Sequence, residues 1–396
     1  MKAVLNGPIY TPTRIIARGG AVLVEGGRIV DVGTLDRLGL PAEVERIDAH
    51  GGLICPGYVD IHVHGGDGAD STDGTVDAVR AVGRRLARVG TTSYLPTTAS
   101  APFPELWRAF DAIGEVMAAP GPGEAHALGI HMEGPLFSLE QAGAHNRDLL
   151  RMPTPAERER LLGYSDRLAR VTLAPEREGA MDLIRDLSAR GVLVCGGHSD
   201  ALYAQVCEAM QAGLRHITHL WSSMSMLRRI GPKRYSGMLE AALVEDGLTA
   251  EIIADGYHLP SSLMKMAYRM KGAERLALVS DAMRASGLGP GVYDLAGIQA
   301  IVEEGSGVAV TEDRAAFAGS ISTVALCVQQ VVQVVGFPLV DALRMATETP
   351  ARIIGAQQRV GRLAPGLAAD LVVLDPTTLL PRAVMLGGEL LAQDAA

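Results

Sequence analysis

Eight short apolar runs punctuate the middle of this chain: YVDIHVH (58–64), TSYLPTT (92–98), ALGIHMEG (127–134), RVTLAPE (170–176), VLVCGGHS (192–199), HITHLW (216–221), AEIIADGYH (250–258) and LALVSDAM (276–283). Most are separated by stretches of helical periodicity: 77–89, 104–117, 156–168, 180–190, 201–212 and 261–270. Parallel strands need crossover connections, and a helix is the usual one, so this alternation predicts a (β/α)8 barrel.

The two ends have another rhythm. Residues 1–55 read as short strands broken by the Gly19-Gly20 and Gly26-Gly27 pairs. The far end returns to that style with Asp370-Leu-Val-Val-Leu-Asp375 and then AVMLGGELLA. The expected class is therefore α/β: a TIM-like barrel over 56–355, plus a small β-sandwich domain built jointly from 1–55 and 356–396. Residues 284–320 read as an irregular insertion ahead of a helix over 321–336.

In a barrel of this kind, reactive groups gather where strands end. The first strand ends in His62-Val63-His64, the third in Glu133, the fifth in His198, the sixth in His219, the seventh in His258 and the eighth in Asp281. His62 and His64 share one face of their strand, the spacing that ligands of a common ion need. Imidazole and carboxylate donors together suit a borderline divalent metal, zinc first, with Fe2+ or Mn2+ as alternatives. Asp281, at the last strand end, suits proton transfer better than helix capping. His50, His126, His131 and His216 lack that placement and read as hydrogen-bonded structural residues.

Composition removes several other classes. Apolar residues make up 48% of the chain, enough for a large core. Thirty-six Lys plus Arg against 45 Asp plus Glu give a net charge of −9, and aromatics are 4%, a poor basis for binding nucleic acid or an anionic membrane. Cys55, Cys195, Cys207 and Cys327 form no CxxC pair, which points to a reducing, cytoplasmic setting. The opening MKAVLNGPIYTP carries no leader-like apolar segment before Asn6-Gly7-Pro8, and no run of 18 apolar residues predicts a membrane span.

The HVH at the end of the first barrel strand, the β-rich flanks and the strand-eight Asp resemble the amidohydrolase superfamily. More narrowly, HMEGP (131–135), GAHN (143–146), GGHSDA (196–201), THLWSSM (218–224), IIADGYH (252–258), LVSDAM (278–283) and AFAGS (316–320) are similar, in order, to the N-acetylglucosamine-6-phosphate deacetylase family. GRLAPGLAADLVVLD (361–375) resembles the superfamily's return strand.

That resemblance implies hydrolysis of the acetamide of an amino sugar phosphate. Glu133, His198 and His219 would hold the principal metal, and His62 and His64 would complete a second site in binuclear members. Many binuclear amidohydrolases bridge their ions with a carboxylated Lys on strand four; RVTLAPE has none, and Glu133 would replace it. The resemblance further assigns oxyanion stabilisation to His145, phosphate contacts to Arg234 and His258, and backbone or pocket-lining positions to Ala144, Phe317, Ala318 and Gly319. It also implies a homodimer in which Arg234 reaches a neighbour's site. Two departures touch the sugar: Ser222-Ser223 stands where the family commonly has Asn-Ala, and the segment from His219 to Arg234 is longer. Other amidohydrolase chemistry, on a cyclic amide or a nucleobase amine, and a catalytically silent member are the alternatives.

Overall fold

The computed structural model describes residues 1–11, 14–16, 19–40 and 42–391. Ala17 and Arg18, in the first expected hairpin, and residues 392–396 of the terminal segment lie outside the described residues.

Eight parallel strands form the barrel in sequential order: Tyr58–Val63, Thr91–Thr98, Ile130–Glu133, Leu168–Leu173, Leu193–Gly196, Leu214–Ile217, Thr249–Ile253 and Leu276–Val279. Each is largely buried, as strands covered on both faces must be. The seam between the eighth and first strands is narrow. The amide of Asp281 donates to the carbonyl of His62 at 2.9 Å, and that of His64 to Ala282 at 2.9 Å. Below them the Ser280 hydroxyl donates to the buried Asp60 carboxylate.

Helices cover the outside. The helix Val76–Arg88 begins where Thr75 Oγ1 accepts from the Ala78 amide at 3.3 Å, and it turns Val79, Val82 and Leu86 onto the barrel. Pro155–Gly163 starts from a reciprocal cap in which Thr154 and Glu157 satisfy each other's amides.

The two ends of the chain build two sheets. One orders Arg28–Thr34, Gly20–Glu25, Lys2–Leu5 and Glu45–Asp48; the other orders Glu389–Leu390, Pro381–Leu386, Leu371–Leu374, Leu53–Pro56, Ile9–Thr11 and Arg14–Ile16. Val4, Val22, Ile29, Ile54, Leu371 and Met385 form the apolar layer that joins them.

Residues 284–320 correct the expectation of an irregular insertion. They contain a four-stranded antiparallel sheet, Gly291–Leu295, Ile298–Val302, Val308–Thr311 and Phe317–Ser320. Its first hairpin turns on Ala296 (φ 46°) and Gly297 (φ 85°), the paired positive φ of a tight turn, without the Asn-Gly or Asp-Gly signal that usually marks one. The helix that follows also differs: an α-helix over Val324–Gln329 widens into a π-helical stretch, Gln330–Val335.

Candidate active site

The strand ends place one carboxylate among four imidazoles. Oε1 of Glu133 lies 3.1 Å from Nε2 of His219 and 3.4 Å from Nε2 of His198. Oε2 lies 3.2 Å from Nε2 of His62 and 3.1 Å from Nε2 of His64. Glu133 thus divides its two oxygens between two donor triads, Glu133/His198/His219 and His62/His64/Glu133, each with its ligand atoms within 4.8 Å of one another.

This donor set fits a divalent cation. Nε2 of His198 and Nε2 of His219 face each other at 3.1 Å, a pairing of like donors that a cation between them explains. Nε2 of His62 is buried and has no hydrogen-bond partner among the described residues. Two of the groups are held from behind: His198 Nδ1 meets the Gln141 carbonyl at 3.0 Å while Phe137 stacks on the same ring at 4.2 Å, and His62 Nδ1 meets Glu251 at 2.7 Å.

Charge is concentrated here. Burial would raise the Glu133 carboxyl, but His62 and the hydrogen bonds from His198 and His219 outweigh it and hold it well below its ordinary value. Burial likewise opposes ionisation of Asp281, yet the neighbouring His62 charge and the His64 hydrogen bond bring it below the usual range. For the ion-free His64, burial is overcome by hydrogen bonds to Asp281 and Glu133, which push it up to about 10. His198 (φ 48°) and Asp281 (φ 47°) both occupy the left-handed region just beyond their strands, a strained backbone of the kind found at functional sites.

His145 is set up differently. The Ser100 amide donates to its Nδ1 at 3.2 Å, so the proton of the neutral ring belongs on Nε2, 3.8 Å from Glu133 Oε2. Burial, reinforced by the charge on His198, lowers it to about 3, so it presents an uncharged N–H donor at neutral pH.

A single pocket is lined by His64, Glu133, His198, His219, Asp281 and His145, and also by Ala144, Ser222, Ser223, His258, Phe317 and Gly319. His258 Nδ1 lies 2.7 Å from Asp255 Oδ2, leaving Nε2 for a ligand, and its ring meets Phe317 at 4.8 Å. Gly143 (φ 58°) suits its left-handed turn, and a Cβ there would stand 2.5 Å from Ser223 Oγ, which would have to turn aside.

Two expected residues are not brought in. Ala318 turns away from the pocket into the apolar layer of the insertion sheet beside Met283 and Ala300, because alternation along the strand faces its neighbours the other way. Arg234 is exposed on the hairpin Arg228–Ile230/Lys233–Tyr235, outside the pocket lining of the single chain.

Beneath the pocket lies a network that motif reading passed over. The Arg170 guanidinium donates to both oxygens of Glu251, at 2.6 and 3.1 Å, and both side chains are fully buried. His216 bridges Glu251 and Thr249, and His131 bridges Thr97 and Thr172, the structural roles expected of them. The available signal was a lone charge inside each of two apolar runs, RVTL and AEII.

Comparison with known proteins gives a consistent family. The model of the Amidohydrolase family matches residues 53–391. An N-acetylgalactosamine-6-phosphate deacetylase from Escherichia coli O157:H7 is 37% identical over 337 residues, covering 85% of this chain and 86% of the relative. The crystal structure of N-acetylglucosamine-6-phosphate deacetylase from Pasteurella multocida superposes with a TM-score of 0.91 at 28% identity, covering 99% of each chain. A D267A mutant from Mycobacterium smegmatis, in complex with N-acetyl-D-glucosamine-6-phosphate, superposes with a TM-score of 0.88 at 32% identity over 98% of each chain.

Proposed function

The chain belongs to the Amidohydrolase family, and we propose that it is a metal-dependent deacetylase converting an N-acetylamino sugar 6-phosphate, of the glucosamine or galactosamine series, to the amino sugar phosphate and acetate. The observation that carries this reading is the convergence of Glu133, His198, His219, Asp281 and His145 on one pocket.

Glu133, His198 and His219 would hold the principal ion, and His62 and His64 a second with the other Glu133 oxygen. Zinc suits this mixture of nitrogen and oxygen donors. A divalent cation there supplies Lewis acidity that lets water ionise near neutral pH. Asp281 accepts the water's proton and returns it to the departing amine, which would otherwise leave as an unstable anion. The His145 Nε2–H donates to the oxygen of the acetyl carbonyl as it gains charge. Phe317 and His258 wall the sugar side of the pocket, and Ser222-Ser223 supplies hydroxyl donors there.

Arg234, exposed beside Leu227, Ile230 and Tyr235, would serve the phosphate of a neighbouring subunit in a homodimer. In the same reading 56–355 carry the chemistry, while 1–55 and 356–396 form a supporting domain in a cytoplasmic enzyme whose cysteines are unpaired. Acetate release from a panel of N-acetylglucosamine and N-acetylgalactosamine, each with and without a 6-phosphate, tests the proposal. Hydrolysis of cyclic amides or nucleobase amines in its place would overturn it.

A further inference from the structure

The two donor triads are not supported alike. Among the described residues, His198 behind the first triad is held by a neutral carbonyl, and Nδ1 of His219 has no partner. In the second, Nδ1 of His64 is likewise without a partner among the described residues. Of these four imidazoles, His62 alone has a described carboxylate behind it, Oε1 of Glu251 at 2.7 Å, with both side chains fully buried.

The tautomer follows from hydrogen-bond accounting. Glu251 accepts from Arg170 at both oxygens and from the His219 backbone amide at 3.3 Å, and lies 3.0 Å from His216 Nε2, the pattern of an ionised carboxylate, which has no proton to give. The proton in the His62–Glu251 contact therefore sits on Nδ1 of His62. Nε2 is left as the lone-pair nitrogen, aimed between Glu133 Oε2 and Asp281 Oδ1 at 3.2 and 3.4 Å. Arg170 fixes the carboxylate in turn, since its other contacts, the Ile61 carbonyl at 3.3 Å and Thr218 Oγ1 at 3.2 Å, lock the guanidinium across the barrel floor.

We propose that Glu251, held by Arg170, is a positioning residue that makes His62 a metal donor and so determines whether the His62/His64/Glu133 site fills. The inference rests on the metal-dependent reading above and concerns the second ion only. A carboxylate behind a ligand imidazole orients the ring and raises its basicity, and losing such a partner weakens metal binding about 10- to 100-fold.

The test compares wild type, Glu251→Gln and His62→Ala as apo-proteins titrated with cobalt(II), followed by visible absorption, with bound metal counted by elemental analysis. Where Glu251→Gln folds poorly, Arg170→Met combined with Glu251→Gln removes both charges together and keeps an amide oxygen to accept from His62. The expected result is that the Glu251 variant loses, or binds about 10- to 100-fold more weakly, the ion that His62→Ala loses, while the ion on Glu133/His198/His219 stays. A Glu251 variant that melts earlier but binds cobalt(II) as wild type does would overturn the positioning role. So would a wild type with one ion that His62→Ala retains. A wild type that binds no ion would instead overturn the metal-dependent reading itself.

Discussion

Oδ1 of Asp281 lies 3.3 Å from Nε2 of His64, so the proposed proton acceptor stands at the edge of the second triad, not behind it. In the proposed mechanism it takes a proton there without being one of the residues that would hold the first ion. Asp281→Asn should therefore lower kcat by about 10²- to 10⁴-fold while elemental analysis finds the metal content of the first site unchanged. A variant retaining a third of wild-type kcat would remove Asp281 from the mechanism.

The divided oxygens of Glu133 give the ligand variants distinct signatures. Glu133→Gln should deplete both ions, since one group serves both triads. His198→Ala should deplete the first and His64→Ala the second. Metal counting on the three purified proteins checks this, and equal losses in all three would mean that neither ion binds without the other.

Arg234→Ala separates phosphate recognition from chemistry. The expected outcome is a raised KM for the 6-phosphorylated sugar, with turnover of the unphosphorylated sugar almost unchanged. Comparable kcat/KM for the two sugars in wild type would show that no anion is recognised at this position. On the proposed homodimer, in which the exposed Arg234 serves a neighbour's site, the KM effect should also weaken under dilution that separates subunits, measured by activity alongside sedimentation.

Lys271 gives a prediction about pH and stability. Burial, with the Arg275 charge adding to it, lowers its pKa to about 8. Between that value and the ordinary lysine value the unfolded chain binds the proton and the folded chain does not, so stability rises with pH across this window. Lys271→Met removes the dependence. The variant should be the more stable protein below pH 8, and the difference should shrink toward pH 10, as denaturant melts at several pH values would show. A gap that widens with pH would contradict the assignment.

Arg170→Met should be costly on its own, because it leaves the Glu251 carboxylate buried with its guanidinium partner gone. Loss of one member of a buried pair typically costs about 3–5 kcal/mol. Equilibrium unfolding in urea measures it, and a change below about 1 kcal/mol would mean that water or a neighbour replaces the guanidinium.

What could be read from the sequence divides along physical lines. The strand-end residues were legible because a parallel barrel presents the same end of every strand to one face, so His62, Glu133, His198, His219 and Asp281 converge whatever the loops do. His131 and His216 were legible as structural residues for the complementary reason that they lie below that face. Arg170 and Glu251 were not, since a charge within an apolar run gives no hint of its partner, and here the partner lies 81 residues away. The insertion sheet was missed because an Ala-Gly turn carries none of the usual turn chemistry. Ala318 depended on strand alternation that an insertion assumed irregular could not supply, and Arg234 sits exposed on a hairpin outside the pocket lining, a placement its motif position does not reveal.

The seam of the barrel has a bearing on how such a chain comes to be active. Asp60 and Ser280, which pair across it, are 220 positions apart, and the segments just above them carry His62, His64 and Asp281. The chain must therefore extend past residue 281, with the eighth barrel strand docked on the first, before Asp281 meets His62 and His64. A chain without the eighth strand would lack Asp281, and on the proposed mechanism it would do no hydrolysis. The closing of the ring is thus the event that completes the site.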